Sequence, residues 1–266
     1  MSIPTAAAPD QVSVSHCLLD AAGAPISAQG AEKPYYAAST IKLHVMLAVL
    51  RAADRGDLNL DDAVTATRSF TGADATTFAL GGDHLDPTHP ADGEQVSVRE
   101  LLQRMIDRSS NEATNHLVEL VGLGAVAEAI ESLDLHETRV ERLIGDASAL
   151  ATGATNETSA GDLARTMRAL VQQDGRAEST TASVELARSV LRAQRIPVIA
   201  AALAGGVDWG SKSGWVDGYR HDVAFVGDPA SEELRVLAVM TAGLAPEAAD
   251  DRIAVLVREL LPEVAA

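Results

Sequence analysis

The stretch Ser39-Thr40-Ile41-Lys42-Leu43-His44-Val45-Met46-Leu47-Ala48-Val49-Leu50-Arg51-Ala52-Ala53-Asp54-Arg55 decides the fold. Ile41, Val45, Ala48, Val49 and Ala52 recur at helical spacing in a run that is apolar on nearly every face, and Gly56 supplies the stop. A helix so apolar belongs in the interior, so the rest of the chain must wrap around it.

Working outward, residues 12–19 alternate Val, Ser, Val, Ser and His before an apolar end. Asp20-Ala21-Ala22-Gly23 supplies turn chemistry and 24–28 returns, which reads as a β-hairpin. Residues 58–92 are polar and rich in Gly, Thr and Asp, and loops with short helices are expected there. Ser97 with Glu100 three residues on is a capping box that opens a helix to about Arg108. Further helical patterns cover 111–121, 124–133, 159–172 and 183–194. Near the end, 209–214, 221–226 and 234–240 read as an antiparallel meander, and 246–261 as a closing helix. Strands at both ends with helices between them imply a discontinuous α/β layer formed by 1–38 and about 202–266. An all-α lobe, about 39–201, is inserted into it.

The 266 residues carry 38 acidic against 21 basic side chains, a formal charge of −17 that repels phosphate backbones and anionic lipid. Neither a nucleic-acid nor a membrane partner is expected. No run approaches the ~18 apolar residues of a membrane span. Residues 1–9 lack the charged start and apolar run of a secretory signal, so a cytoplasmic location is expected. Cys17 is the only cysteine, which excludes an intrachain disulfide and a cysteine zinc cluster. Only three of the basic residues are lysines, Lys33, Lys42 and Lys212, and in so lysine-poor a background each one merits inspection.

Ser39 and Lys42 lie one turn apart on one face at the start of the apolar helix, the spacing by which an amine reaches a hydroxyl. Alone, S-x-x-K is common in helices as a serine cap followed by a snorkelling lysine. Two further triplets, Ser109-Ser110-Asn111 and Lys212-Ser213-Gly214, change its meaning. The order S-x-x-K, S-x-N, K-[ST]-G resembles the penicillin-recognising serine hydrolases, above all class A β-lactamases, over nearly the whole chain. The resemblance implies a two-lobe serine β-lactamase-like fold and an acyl-enzyme on Ser39, with Lys42 activating the serine and Ser109 relaying a proton to the leaving group. It implies that Asn111 bonds the substrate's amide side chain, that Lys212 and Ser213 hold its carboxylate beside Gly214, and that the backbone N–H groups of Ser39 and Trp215 form the oxyanion hole. The partner expected is a small carboxylate-bearing molecule, with no cofactor or metal, and the protein a monomer.

The family's E-x-x-L-N loop glutamate, which activates the deacylating water, has no counterpart in 138–146. Ile144 stands in its place, with Glu141 and Asp146 as candidate substitutes or as partners of Arg142 in holding the loop, so β-lactam turnover is expected to be slow. Ser110 replaces the usual aspartate of the second motif, and Trp215 a small residue, where its ring narrows the site, forms a stacking wall or simply packs at the lobe boundary. Asp83, His84, Asp86 and His89 have irregular spacing for a metal site and are expected in a solvated loop. His44 is expected to be packed or partly exposed, and His221-Asp222 to make structural hydrogen bonds. Two other functions stay open: a non-hydrolytic binding or sensing module, and an acyltransferase or esterase of small metabolites.

Overall fold

The computed structural model describes residues 9, 11–82, 85–173 and 180–266. Its chain opens with β1 (Ser13–Leu19), β2 (Pro25–Gln29) and β3 (Tyr35–Tyr36). A 3₁₀ turn, Ala38–Ile41, leads into α1 (Lys42–Asp54). Then come β4 (Ala63–Thr65), β5 (Ser69–Thr71), β6 (Thr77–Ala79) and β7 (Gln95–Ser97), followed by α2 (Val98–Asp107) and α3 (Asn111–Glu131). β8 (Arg139–Val140), α4 (Ala147–Ala151) and β9 (Asn156–Thr158) precede α5 (Ala160–Val171) and α6 (Thr181–Arg192). The meander β10 (Trp209–Val216), β11 (Tyr219–Val226) and β12 (Arg235–Ala242) and the helix α7 (Pro246–Leu260) complete the fold.

Both chain ends build one five-stranded antiparallel sheet in the order β10-β11-β12-β1-β2, with Cys17 opposite Ala238 and Val223 opposite the same alanine on the other side. Side chains alternate across the pleat. Cys17, Leu19, Val223, Phe225, Ala238 and Met240 enter the core shared with α1, α2, α3 and α5. Their neighbours Leu18, Ala224, Val226, Leu237 and Val239 face the opposite way and pack on Ile253, Leu256 and Val257 of α7. Helix α1 is buried from Lys42 to Leu50 without a break, as its all-round apolar sequence requires. No helix among the described residues is long and apolar enough to cross a membrane.

The serine half of the expected capping box is present, with Ser97 Oγ accepting from Glu100 N–H at 3.1 Å, while the Glu100 carboxylate pairs with Arg104 at 2.7 Å. The two helical patterns expected in 111–133 are two helices that meet in α3 at a kink on Gly122, whose backbone (φ 83°, ψ 149°) is not helical. Helix α6 starts two residues earlier than the expected 183, because Thr180 is its cap. A larger correction concerns 58–92. In place of short helices, its described residues form the hairpin β5–β6 and the strand β4, which pairs with β7. Three-residue strands are too short to show a period, and the hairpin is held by the Phe70–Phe78 cross-strand pair and a turn that Asp74 closes onto Thr76.

Candidate active site

Ser39 sits where the chain leaves a strand and enters a helix. Ala37 N–H is fixed to Asn156 C=O at 2.9 Å, and Ala38 then takes φ 48°, a left-handed conformation that costs a residue with a Cβ energy. Thr40 locks the turn by donating its hydroxyl to Ala37 C=O at 2.6 Å. Edge strand β10 lies against this turn. A Cβ on Gly214 would stand 2.9 Å from Thr40 N and 3.0 Å from Ser39 N, so only glycine lets the strand approach the first turn so closely.

The structure brings the three motifs together. Lys42 Nζ donates to Ser109 C=O at 2.5 Å, Ser109 Oγ at 3.1 Å and Asn111 Oδ1 at 2.8 Å. Lys212 Nζ reaches the same Ser109 Oγ from the other side at 3.0 Å and donates to Ser213 C=O at 2.5 Å. Three acceptors saturate an ammonium group. This explains a departure from the S-x-x-K expectation: among the described residues no hydrogen bond joins Lys42 to Ser39, because the second motif takes up the amine. Ser109 itself has φ 60°, a second left-handed residue, which aims its hydroxyl back between the two lysines. Ser110 caps α3 by accepting from Ala113 N–H at 3.2 Å and donates to buried Glu112 at 3.1 Å.

Burial dominates the electrostatics. It holds Lys42 well below the ordinary lysine range, helped by the Lys212 charge and opposed by Glu112. It brings Lys212 down to about 7, with Asp222 raising it and Arg220 lowering it. Asp222 is pushed up to about 6 by burial, although its Oδ2 accepts from the N–H groups of Val198 and Ile199 at 2.8 Å each. Burial lowers His221 to about 4; its Nδ1 accepts from Thr241 N–H at 3.2 Å, leaving Nε2 to donate to Tyr36 C=O at 2.9 Å. These are the structural hydrogen bonds expected of His221-Asp222. His44 is fully buried on Thr166 at 3.1 Å.

Ser39, Ser109, Asn111, Ser213 and Trp215 line one cavity of about 240 Å³, with the Lys42 and Lys212 amines behind Ser109. Leu85, Arg108 and Ile196 complete its wall and were not singled out from the sequence. Arg108 directly precedes the S-x-N motif and Ile196 lies in the Arg195-Ile196-Pro197 run, which were the available signals.

Ile144 is held by Asn115, another residue that sequence reasoning missed: the amide oxygen accepts from Ile144 N–H at 2.8 Å and the amide nitrogen donates to Ile144 C=O at 2.9 Å. Asp146 is buried as the cap of α4, accepting from Ser148 Oγ at 2.6 Å, Ala73 N–H at 2.9 Å and Ala149 N–H at 3.0 Å. Burial raises this carboxyl, but those hydrogen bonds outweigh it and hold it below the usual range. Glu141 accepts from Thr155 N–H at 2.9 Å and pairs with Arg139 at 3.8 Å. Both carboxylates therefore hold the loop through backbone donors, with Ser148 and Arg139 beside them. Arg142 donates to Tyr36 Oη at 3.0 Å.

The solvated-loop expectation is corrected for Asp86 and His89, which are buried. Arg104 pairs with Asp86 at 3.1 Å, and the His89 ring stacks on His116 with centroids 5.9 Å apart. Asp83 and His84 lie outside the described residues. Among the described residues no group of three or more His, Cys, Asp or Glu side chains is placed to hold a metal ion.

Residues 3–262 match the model of the beta-lactamase enzyme family. A β-lactamase from Sphaerobacter thermophilus is similar in structure, with a TM-score of 0.78 and 28% identity over 95% of this chain and 91% of that one. One from Xanthomonas campestris pv. campestris has a TM-score of 0.77 and 25% identity over 94% and 92%. The extended-spectrum β-lactamase PER-1 of Pseudomonas aeruginosa is 32% identical over 103 residues, 38% of this chain and 32% of that protein. The matched stretch thus spans about a third of the curated relative.

Proposed function

The chain belongs to the beta-lactamase enzyme family, and from that premise we propose that it is a serine acyl hydrolase working through an acyl-enzyme on Ser39. The observation that carries this reading is Ser109 Oγ held between two buried amines, Lys42 at 3.1 Å and Lys212 at 3.0 Å. Ser39 Oγ attacks the substrate carbonyl and its proton passes to Lys42, which burial and the Lys212 charge dispose to be neutral; the neutral amine donates to only two of its three neighbours and so has a lone pair for that proton. The oxyanion is received by the N–H groups of Ser39 and Trp215. When the carbonyl's bond to nitrogen or oxygen breaks, Ser109 gives its proton to the leaving group and recovers one through its bond to Lys42. Asn111 orients the substrate's amide, and Lys212 with Ser213 receives its carboxylate.

Deacylation requires a base aimed at water; by the motif resemblance Ile144 stands where the family carries that base, and Asp146 is occupied as a cap. The acyl-enzyme is therefore long-lived with β-lactams. That favours a second reading, a penicillin-binding or sensing protein in which acylation is itself the output. Intact mass after mixing with benzylpenicillin or an activated ester tests the common core. One acyl equivalent on the protein, absent from Ser39→Ala, supports it; an unmodified protein with every probe overturns it.

A further inference from the structure

Glu112, one residue beyond Asn111 on α3, is a fully buried carboxylate that takes no part in the proton transfers between Ser39, Lys42 and Ser109. Its Oε2 accepts from Ser110 Oγ at 3.1 Å, and its two oxygens accept from Asp86 N–H at 3.1 and 3.2 Å. Arg68 Nε stands 3.6 Å away, an ion pair too long for a hydrogen bond. Taking a carboxylate out of water is costly, and an apolar side chain would fill the same interior without that cost, so the use of the charge lies in what it faces.

One such neighbour is the turn of the second motif. Every polar group of Ser110 is gripped: its N–H donates to Arg104 C=O at 3.0 Å, its C=O accepts the Thr114 hydroxyl at 2.7 Å, and its Oγ accepts from Ala113 N–H while donating to Glu112. That grip holds the adjacent Ser109 in its left-handed backbone, φ 60°, a conformation that persists only where the surroundings impose it. The other neighbour is Lys42. Of the charges that act on it, Lys212 of β10 disfavours the ammonium and Glu112 of α3 favours it. Burial and Lys212 make the amine easy to deprotonate and correspondingly weak as a base, and a buried carboxylate restores its basicity.

We propose that Glu112 is a positioning residue for acylation: through Ser110 it holds Ser109 and Asn111 against Lys42, and its carboxylate stabilises the ammonium that Lys42 becomes on taking the Ser39 proton. This rests on the reading of Ser39 as nucleophile and Lys42 as its base. One proton moves, from Ser39 Oγ to Lys42 Nζ, as the bond from Ser39 Oγ to the carbonyl carbon forms, and Glu112 exchanges none. The other charged or titratable groups around Glu112 are Arg68, Asp86 and His89, the last held below the ordinary histidine range by burial.

The chain has only three lysines, so with isotope-labelled lysine the ε-carbon resonance of Lys42 can be titrated in the resting protein, Lys33→Arg and Lys212→Arg supplying the assignment. Glu112→Gln keeps the size of the side chain and removes its charge. In that variant the Lys42 midpoint should fall by about half a pH unit or more, and acylation by benzylpenicillin should slow roughly tenfold or more. Ser110→Ala keeps the charge and removes the hydroxyl, and should slow acylation while leaving the midpoint in place, a contrast that a merely structural role does not produce. An unchanged midpoint in Glu112→Gln, no titration of Lys42 in the unmodified protein, an equal fall in Ser110→Ala, or acylation of either variant at the original rate would overturn the proposal. The titration needs no acyl-enzyme: an unmodified protein that is never acylated would sink the proposed function, while the midpoint would still decide whether Glu112 acts on Lys42.

Discussion

Asn115 clamps Ile144 by both main-chain groups, at 2.8 and 2.9 Å, and so fastens the loop 139–146 to helix α3 four residues beyond Asn111. Asn115→Ala leaves both groups without their partner, at a cost of about 1–3 kcal/mol for each one that water cannot reach. Thermal unfolding should occur at a clearly lower temperature, and amide exchange should accelerate in 139–155. Unchanged exchange there would show that Asp146 and Glu141 suffice to hold the loop.

Because the clamp fixes the position of Ile144, Ile144→Glu should place a carboxylate where the family carries its deacylating base. Breakdown of a preformed penicilloyl-enzyme should then accelerate by about 10²–10⁴-fold, the usual contribution of a general base. Retained acylation with unaltered breakdown would disprove the equivalence of the two positions.

Lys42 Nζ donates to Asn111 as well as to Ser109, and Lys42→Ala should reduce acylation by at least about 10²-fold with the fold intact by circular dichroism. Acylation of that variant at the original rate would remove Lys42 from the mechanism.

Lys212 gives a pH signature. With its folded pKa at about 7, it is charged below that pH and neutral above it, so KM for an anionic substrate should rise as pH passes through 7 while KM for a neutral ester stays level. Stability moves in the opposite direction. Between about 7 and the ordinary lysine value of 10.5 the unfolded chain binds the proton that the folded one has lost, so Lys212 makes folding more favourable as pH rises through that window. Lys212→Ala should raise KM for the anion far more than for the ester; equal effects on both would make the residue structural.

Gly214→Ala should lower both thermal stability and acylation, since its Cβ meets backbone at 2.9 and 3.0 Å and backbone cannot swing aside. Normal acylation in that variant would mean that the β10 contact with the Ser39 turn is not needed.

Much of the architecture was legible because it rests on local periodicity. The all-apolar α1, the capping serine at 97 and the alternating strands of the meander each announce themselves within a few residues. The hairpin of Phe70 and Phe78 did not, because three residues a side carry no period. At the site, the motif spacing named Ser39, Lys42, Ser109, Asn111 and Lys212, but two left-handed backbones, at Ala38 and Ser109, turn the Lys42 amine toward Ser109 and Asn111 rather than Ser39. Such conformations belong to neighbours far apart in sequence. Asn115 acts across 29 residues, and Arg108 and Ile196, which only their nearness to motif residues marks in the sequence, meet in the shared wall of one cavity.

In the proposed mechanism Ser39 is acylated with the help of Lys42, Ser109 and the backbone donors, while the loop at Ile144 supplies no base for deacylation. Pre-steady-state turnover of a chromogenic β-lactam tests this most directly. A burst of about one equivalent per protein should be followed by a steady phase about 10²–10⁴-fold slower. Linear, burst-free turnover at tens per second or more would contradict it and assign the deacylating base to Glu141, Asp146 or another group.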